Sequence, residues 1–168
     1  MRVDSLSSCL PDPWPKELSI LSDTKKDNNR QGWYDSKMEL MRNYAFHLAF
    51  ENDCETDYIT EKLWLALEAG TLPIYFGAPN IREHIPANSI VLVQDFKSPE
   101  KLAEHLSYLL RNTTAYYEYH AWRQGPLPQW WIDKYNFSQV SWRCRICRWA
   151  YARNMGLSWD RSKQVFLS

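Results

Sequence analysis

Tyr44-Ala45-Phe46-His47-Leu48-Ala49-Phe50, running straight into Glu51-Asn52-Asp53-Cys54-Glu55-Thr56-Asp57-Tyr58-Ile59-Thr60-Glu61-Lys62, is the stretch that decides the fold. Its first seven residues are apolar at nearly every position. A strand without polar alternation is usually buried on both faces, the condition of a strand inside a parallel sheet. The polar interval that follows ends in a helix. Thr60 is a good N-cap, Leu63, Trp64 and Leu67 share one side of segment 61–69, and Gly70 stands where a C′ glycine belongs.

Outward from this strand–loop–helix unit the pattern repeats. Segments 72–76 and 90–93 read as second and third apolar strands. Ser98-Pro99 opens a helix in the favoured order of cap then proline, Leu102, Leu106 and Leu109 carry its helical spacing, and Asn112 ends it. Upstream, 35–42 is helix-compatible, with Met38 and Met41 three apart. Alternating strands and helices predict an α/β fold, a doubly wound parallel sheet with helices on both faces. Residues 1–168 read as one domain. It begins with a short element at 2–5 and a proline-rich, polar loop excursion over 10–32. It ends in an aromatic, mostly helical tail over 114–168, expected to pack across the sheet.

Composition narrows the functional classes. The chain has 168 residues, with 20 Lys plus Arg against 20 Asp plus Glu. Zero net charge argues against a dedicated nucleic-acid binder, which would carry a basic stripe. No run approaches the roughly 18 apolar residues of a membrane span. Only 5 glycines are present, and neither GxGxxG nor a P-loop occurs. Four cysteines (Cys9, Cys54, Cys144, Cys147) and two N-glycosylation sequons, at Asn112 and Asn136, lean toward an oxidising secretory lumen.

In doubly wound sheets, ligands bind beyond the carboxyl ends of the strands, which here means the 50–62 handover. The first N–H groups of the helix after Thr60 are unpaired and carry the positive end of its dipole. A lysine in that first turn, Lys62, opposes helix stability unless an anion such as a diphosphate lies beside it. Glu61 suits the paired hydroxyls of a ribose, and Asn52 and Tyr58 offer donors to sugar oxygens. The same residues also fit a loop that is merely capped and solvated. Cys144 and Cys147, spaced C-x-x-C, fit a redox pair, half a zinc site or a short structural disulfide, although no second CxxC or ordered His pair accompanies them. Core packing accounts for most of the tail aromatics, and His47 and His84 read as structural.

The ordered run Phe50-Glu51-Asn52, Asp57-Tyr58-Ile59-Thr60-Glu61-Lys62-Leu63-Trp64 and Ala69-Gly70-Thr71-Leu72-Pro73-Ile74-Tyr75-Phe76-Gly77 resembles the motif set of the α1,3-fucosyltransferase family, glycosyltransferase family 10. Ile85-Pro86-Ala87-Asn88-Ser89, Gln94-Asp95-Phe96 and the tail Val140-Ser141-Trp142-Arg143-Cys144-Arg145-Ile146-Cys147 continue the likeness. The resemblance implies the C-terminal, donor-binding, Rossmann-like half of a GT-B enzyme. It implies GDP-fucose as donor, held by Asn52, Tyr58, Glu61 and Lys62, and inverting transfer to a glycan (α1,3 to N-acetylglucosamine) or to a protein hydroxyl. No metal or other cofactor is implied. The catalytic base would belong to an N-terminal acceptor domain which, with a type II membrane anchor, is expected to lie outside this chain. A truncated, inactive nucleotide-sugar-binding module is the alternative. The resemblance further implies a Cys144–Cys147 disulfide, a place in the Golgi or endoplasmic reticulum lumen, and the divergent branch linked to protein O-fucosylation; Cys9 and Cys54 are candidates for a second pair, whose connectivity sequence alone does not fix.

Overall fold

The computed structural model describes residues 30–160 and 165–167. The element expected at 2–5, most of the 10–32 excursion and Cys9 lie outside these residues. Where the sequence reads as one domain, the chain divides into two compact units, Met1–Gly125 and Pro126–Ser168.

The first unit holds α1 (Arg30–Met41), β1 (Phe46–Phe50), α2 (Glu61–Ala69), β2 (Leu72–Phe76), β3 (Val91–Leu92), α3 (Pro99–Arg111) and α4 (Thr113–Glu118). The strands form a parallel sheet in the order β1-β2-β3, so the α/β architecture read from the sequence is present. β2 is central, and Leu72, Pro73, Ile74 and Tyr75 are all buried. Its side chains alternate between two cores. Tyr75 joins Ala49, Leu63 and Leu67 beneath α2, while Leu72 and Ile74 meet Val91, Leu106 and Leu109 beneath α3. A third cluster seats α1 on α2 through Met38, Met41, Leu65, Ala66 and Ala69. Each of the Leu, Ile, Val and Met side chains among these contributes roughly 1.5–3 kcal/mol when fully buried.

Pro73 would be out of place in an ordinary central strand, because it cannot donate to the ladder. Here the Leu72 amide reaches Ala45 on the β1 side, which turns residue 73 toward β3, and β3 begins only opposite Ile74. The missing N–H therefore falls where no partner strand has started.

Three expectations are revised. β1 is not buried on both faces: Leu48 and Phe50 are 48% and 42% exposed, and among the described residues β2 is the only strand beside β1. The third strand shrinks to two residues, since Val93–Asp95 coils into a 3₁₀ turn closed by the Phe96 amide on the Val93 carbonyl. The helix expected at 35–42 begins earlier, at Arg30.

The second unit contains α5 (Gln129–Gln139), α6 (Trp142–Asn154) and an antiparallel pair, β4 (Ser158–Asp160) with β5 (Val165–Leu167). Core packing does not explain its aromatics. Among its described residues only Ala152 is buried, while Trp130, Tyr135, Trp142, Trp149 and Tyr151 are exposed. No helix among the described residues is long and apolar enough to cross a membrane.

His47 gives β1 a measurable titration. Burial, reinforced by the nearby Lys37 ammonium, pulls its imidazole from the ordinary 6.5 down to about 4. Between those values the unfolded chain holds a proton that the folded chain rejects, so stability must fall as pH drops through that window. After allowance for residual exposure, the loss by pH 4 should be about 2–3 kcal/mol. Urea unfolding from pH 8 to pH 4 should show this slope, and His47→Leu should flatten it; an unchanged slope would mean another group is responsible.

Candidate functional site: the carboxyl edge of β1 and the start of α2

β1 ends by passing its ladder to Glu51, whose amide donates to the Phe76 carbonyl at 2.8 Å. Side-chain alternation then puts His47, Ala49 and Glu51 on the α2 side of the sheet. The Glu51 carboxylate, 0% exposed, runs beneath the N-terminus of α2. Oε1 accepts from the Thr60 amide at 2.8 Å and Oε2 from the Thr60 hydroxyl at 2.6 Å. Lys62 Nζ lies 3.6 Å from Oε2 and 3.3 Å from Thr60 Oγ1. Thr60, in extended conformation, also caps α2 by accepting from the Lys62 amide at 3.5 Å, and Gly70 closes the helix at φ +86°. A buried anion thus fixes both the cap and the cation of the first turn.

Gly77 makes room for that carboxylate. A Cβ there would come within 2.6 Å of Glu51 Cγ and of the Tyr75 hydroxyl oxygen. Tyr75 is fully buried, and its hydroxyl accepts from the Ala78 amide at 3.0 Å. Burial pushes the phenol above its usual value; the Ala78 bond offsets this, and the Glu51 and Cys54 charges add to the rise.

The four residues read from the sequence as ligand-binding all belong to this corner. Asn52 and Tyr58 are exposed on the loop, Glu61 is exposed as the first residue of α2, and Lys62 is half-buried, with 26% of its side chain accessible. Lys37 of α1 is a cation that sequence reasoning missed. Burial lowers its ammonium below the usual range, Glu61 pulls it back up and Lys62 lowers it again, so α1 delivers a second positive charge within electrostatic reach of the helix start. Glu51 was quoted as part of a motif but given no role. Counting alternate residues from Ala49 would have aimed it at Thr60.

The other expected sites stand differently. Cys54, Cys144 and Cys147 are free, exposed thiols, so the expected Cys144–Cys147 disulfide is not formed, and the Cys9 half of the other candidate pair lies outside the described residues. Cys144 and Cys147 are three apart on α6, where Cβ atoms sit about 5–6 Å apart, against the roughly 4 Å a disulfide needs. Asn112 is a structural cap: its Oδ1 accepts from the Ala115 amide at 3.1 Å and its Nδ2 donates to the Tyr108 hydroxyl at 2.9 Å. Asn136 is exposed on α5. Among the described residues no group of three or more His, Cys, Asp or Glu is arranged to hold a metal.

Comparison with known proteins gives concordant results. Residues 18–157 match the model of glycosyltransferase family 10 (fucosyltransferase), C-terminal part. An alpha-(1,4)-fucosyltransferase of Arabidopsis thaliana is 37% identical over 131 residues, 77% of this chain and 33% of that protein. A GDP-fucose protein O-fucosyltransferase 3 of Xenopus laevis is 39% identical over 125 residues, 73% of this chain and 25% of that protein. The chain therefore spans between a quarter and a third of the length of these curated relatives. A crystal structure of an alpha1,3-fucosyltransferase with GDP-fucose is 35% identical over 49% of this chain and 25% of its own, with a TM-score of 0.47.

The buried carboxylate makes a stability prediction. Glu51→Ala strips the Thr60 amide and hydroxyl of their acceptor and should cost roughly 2–4 kcal/mol in urea unfolding. Gly77→Ala should cost roughly 1–3 kcal/mol by overpacking. The double variant should cost less than the two together, because removing the Glu51 side chain relieves much of the clash. Strict additivity would show that the two positions do not touch.

Proposed function

We propose a role that starts from a plain premise: this chain belongs to glycosyltransferase family 10, the fucosyltransferases. It supplies the donor-binding part of a GDP-fucose-dependent fucosyltransferase, a Rossmann-like half of a GT-B cleft. The observation that carries this reading is Lys62, held by the buried Glu51 beside Thr60, at a helix N-terminus beyond the carboxyl end of a parallel strand. The name of the Xenopus relative supports GDP-fucose as the donor.

In this reading the diphosphate lies across the first turn of α2. Lys62, Lys37 and the unpaired helix amides face it and offset the charge that grows on the departing GDP. Glu61 accepts hydrogen bonds from hydroxyls of the ribose or fucose. Asn52 and Tyr58 donate to sugar oxygens, so the anomeric carbon is presented in one orientation, and positioning of this kind supplies a large share of such rate enhancements. The transfer is inverting. A carboxylate from outside this donor corner deprotonates the acceptor hydroxyl, on a glycan or on a protein. The positive groups named here carry the electrostatic load without a metal ion, and the setting is the lumen of the endoplasmic reticulum or Golgi, which suits the two sequons.

Calorimetric titration of GDP into the 168-residue chain tests the assignment. Lys62→Ala should weaken binding by roughly 30- to 150-fold, about 2–3 kcal/mol for a charge-assisted contact of low exposure. UDP should bind more weakly than GDP. Equal GDP affinity in wild type and Lys62→Ala would remove Lys62, and with it the α2 terminus, from the site.

A further inference from the structure

A second fastening holds the loop 51–60, at a point the donor reading does not use. Asp57 has φ +65°, a left-handed conformation that is uncommon outside glycine and that Asp adopts more readily than most residues. Its surroundings here come from the segment after β2. The Asp57 amide donates to Asn80 Oδ1 at 3.0 Å, and Asn80 Nδ2 returns a bond to Asp57 Oδ1 at 2.8 Å. His84 Nε2 lies 2.8 Å from the same Oδ1. Asn80 Nδ2 also lies 3.3 Å from Glu83 Oε2.

The donor and acceptor roles follow from this geometry. Flipping the Asn80 amide would set an NH2 against the Asp57 N–H, so Oδ1 must face the backbone and Nδ2 the two carboxylates. Asp57 offers only acceptor oxygens, so His84 Nε2 carries the proton. The 3.0 Å approach of Asn80 Nδ2 to His84 Nε2 is then a contact between two donors sharing one carboxylate, not a bond.

We propose that Asn80 and His84 are positioning residues for the donor site: by clamping Asp57 they fix the backbone that presents Tyr58. The inference rests on the donor reading above. Glu51 anchors the loop at its base, through Thr60, and the Asp57–Asn80–His84 clip anchors its crown. The crossing spans 23 to 27 residues of sequence, between the loops that leave the adjacent carboxyl ends of β1 and β2. Tyr58 sits next to the clamped residue, and its amide donates to the Glu55 carbonyl at 3.1 Å, closing a tight turn. With Asn80 truncated, the left-handed turn loses two hydrogen bonds to one side chain, and the tyrosine samples more orientations.

Two measurements on the full chain test this. The first needs no ligand: Asn80→Ala should speed amide exchange in residues 52–60 while leaving β2 protected. The second is GDP titration, in which Asn80→Ala should raise Kd roughly tenfold, the scale of one lost positioning bond. In a Tyr58→Ala background the same substitution should have almost no effect. Asp57→Gly serves where Asn80→Ala folds poorly: glycine accepts φ +65° without strain, so it removes the carboxylate while keeping the chain path. Unchanged loop exchange, an unchanged Kd, or an equal loss with and without Tyr58 would each overturn the clip. A wild-type chain that binds no GDP overturns the donor reading and the clip's role in it, and the exchange result tells that failure apart from a loop that was never clamped.

Discussion

The buried carboxylate of Glu51 is the interaction on which this unit's functional edge depends. A carboxylate taken out of water is costly unless its oxygens are bonded and its charge is matched. Here a backbone amide, a hydroxyl and an ammonium meet those needs, and all three belong to the first turn of one helix and its cap. The same three contacts tie the end of β1 to the start of α2 across a sequence separation of nine positions. The cost of burying the charge is thereby turned into a constraint. The loop must close with Thr60 above Glu51, and Lys62 must lie beside it. Gly77 belongs to this constraint, because only a residue without a side chain leaves the carboxylate its space.

Much of the scaffold was legible because local chemistry and packing agree there. Thr60, the 61–69 helix and Gly70 were readable as cap, helix and stop, and tertiary contacts only reinforced them. Ser98-Pro99 worked the same way for α3. Legibility failed where distant residues decide. A continuous apolar run reads as buried on both faces, but nothing local to 44–50 says that Leu48 and Phe50 stay half exposed. The third strand was cut to two residues by a turn that its apolar sequence does not announce.

The candidate site divides along the same line. Asn52, Tyr58, Glu61 and Lys62 were readable because they crowd one handover between strand and helix. Lys37, Asn80 and His84 were not, because they arrive from α1 and from the loop after β2, and only the fold brings them near. The aromatic segment after Pro126 failed for a different reason. A high count of Trp and Tyr was read as core, yet α6 displays Trp142, Trp149 and Tyr151 to solvent among four arginines, Arg143, Arg145, Arg148 and Arg153. Composition gives the amount of apolar surface and not the side on which it lies.

The loop poses an electrostatic puzzle whose solution unites these parts. From Glu51 to Glu61 it carries five acidic residues, Glu51, Asp53, Glu55, Asp57 and Glu61, with Glu51 buried, a poor setting at first sight for a diphosphate. The structure shows how that charge is engaged. Glu51 is matched by Lys62 and Thr60, Asp53 accepts from the Cys54 amide at 2.7 Å, and Asp57 is bonded by Asn80 and His84. Glu61 lies in the field of Lys37. Acidic side chains used in this way act as internal fasteners: their charge is directed at amides and cations of the protein, and the helix terminus remains the positive feature of the corner. A loop of neutral residues would lack those fasteners and could not hold its shape over so few apolar contacts. The acidity of the loop is thus part of how this edge is held in shape, through Glu51, Asp53 and Asp57, whose carboxylates are bonded within the protein.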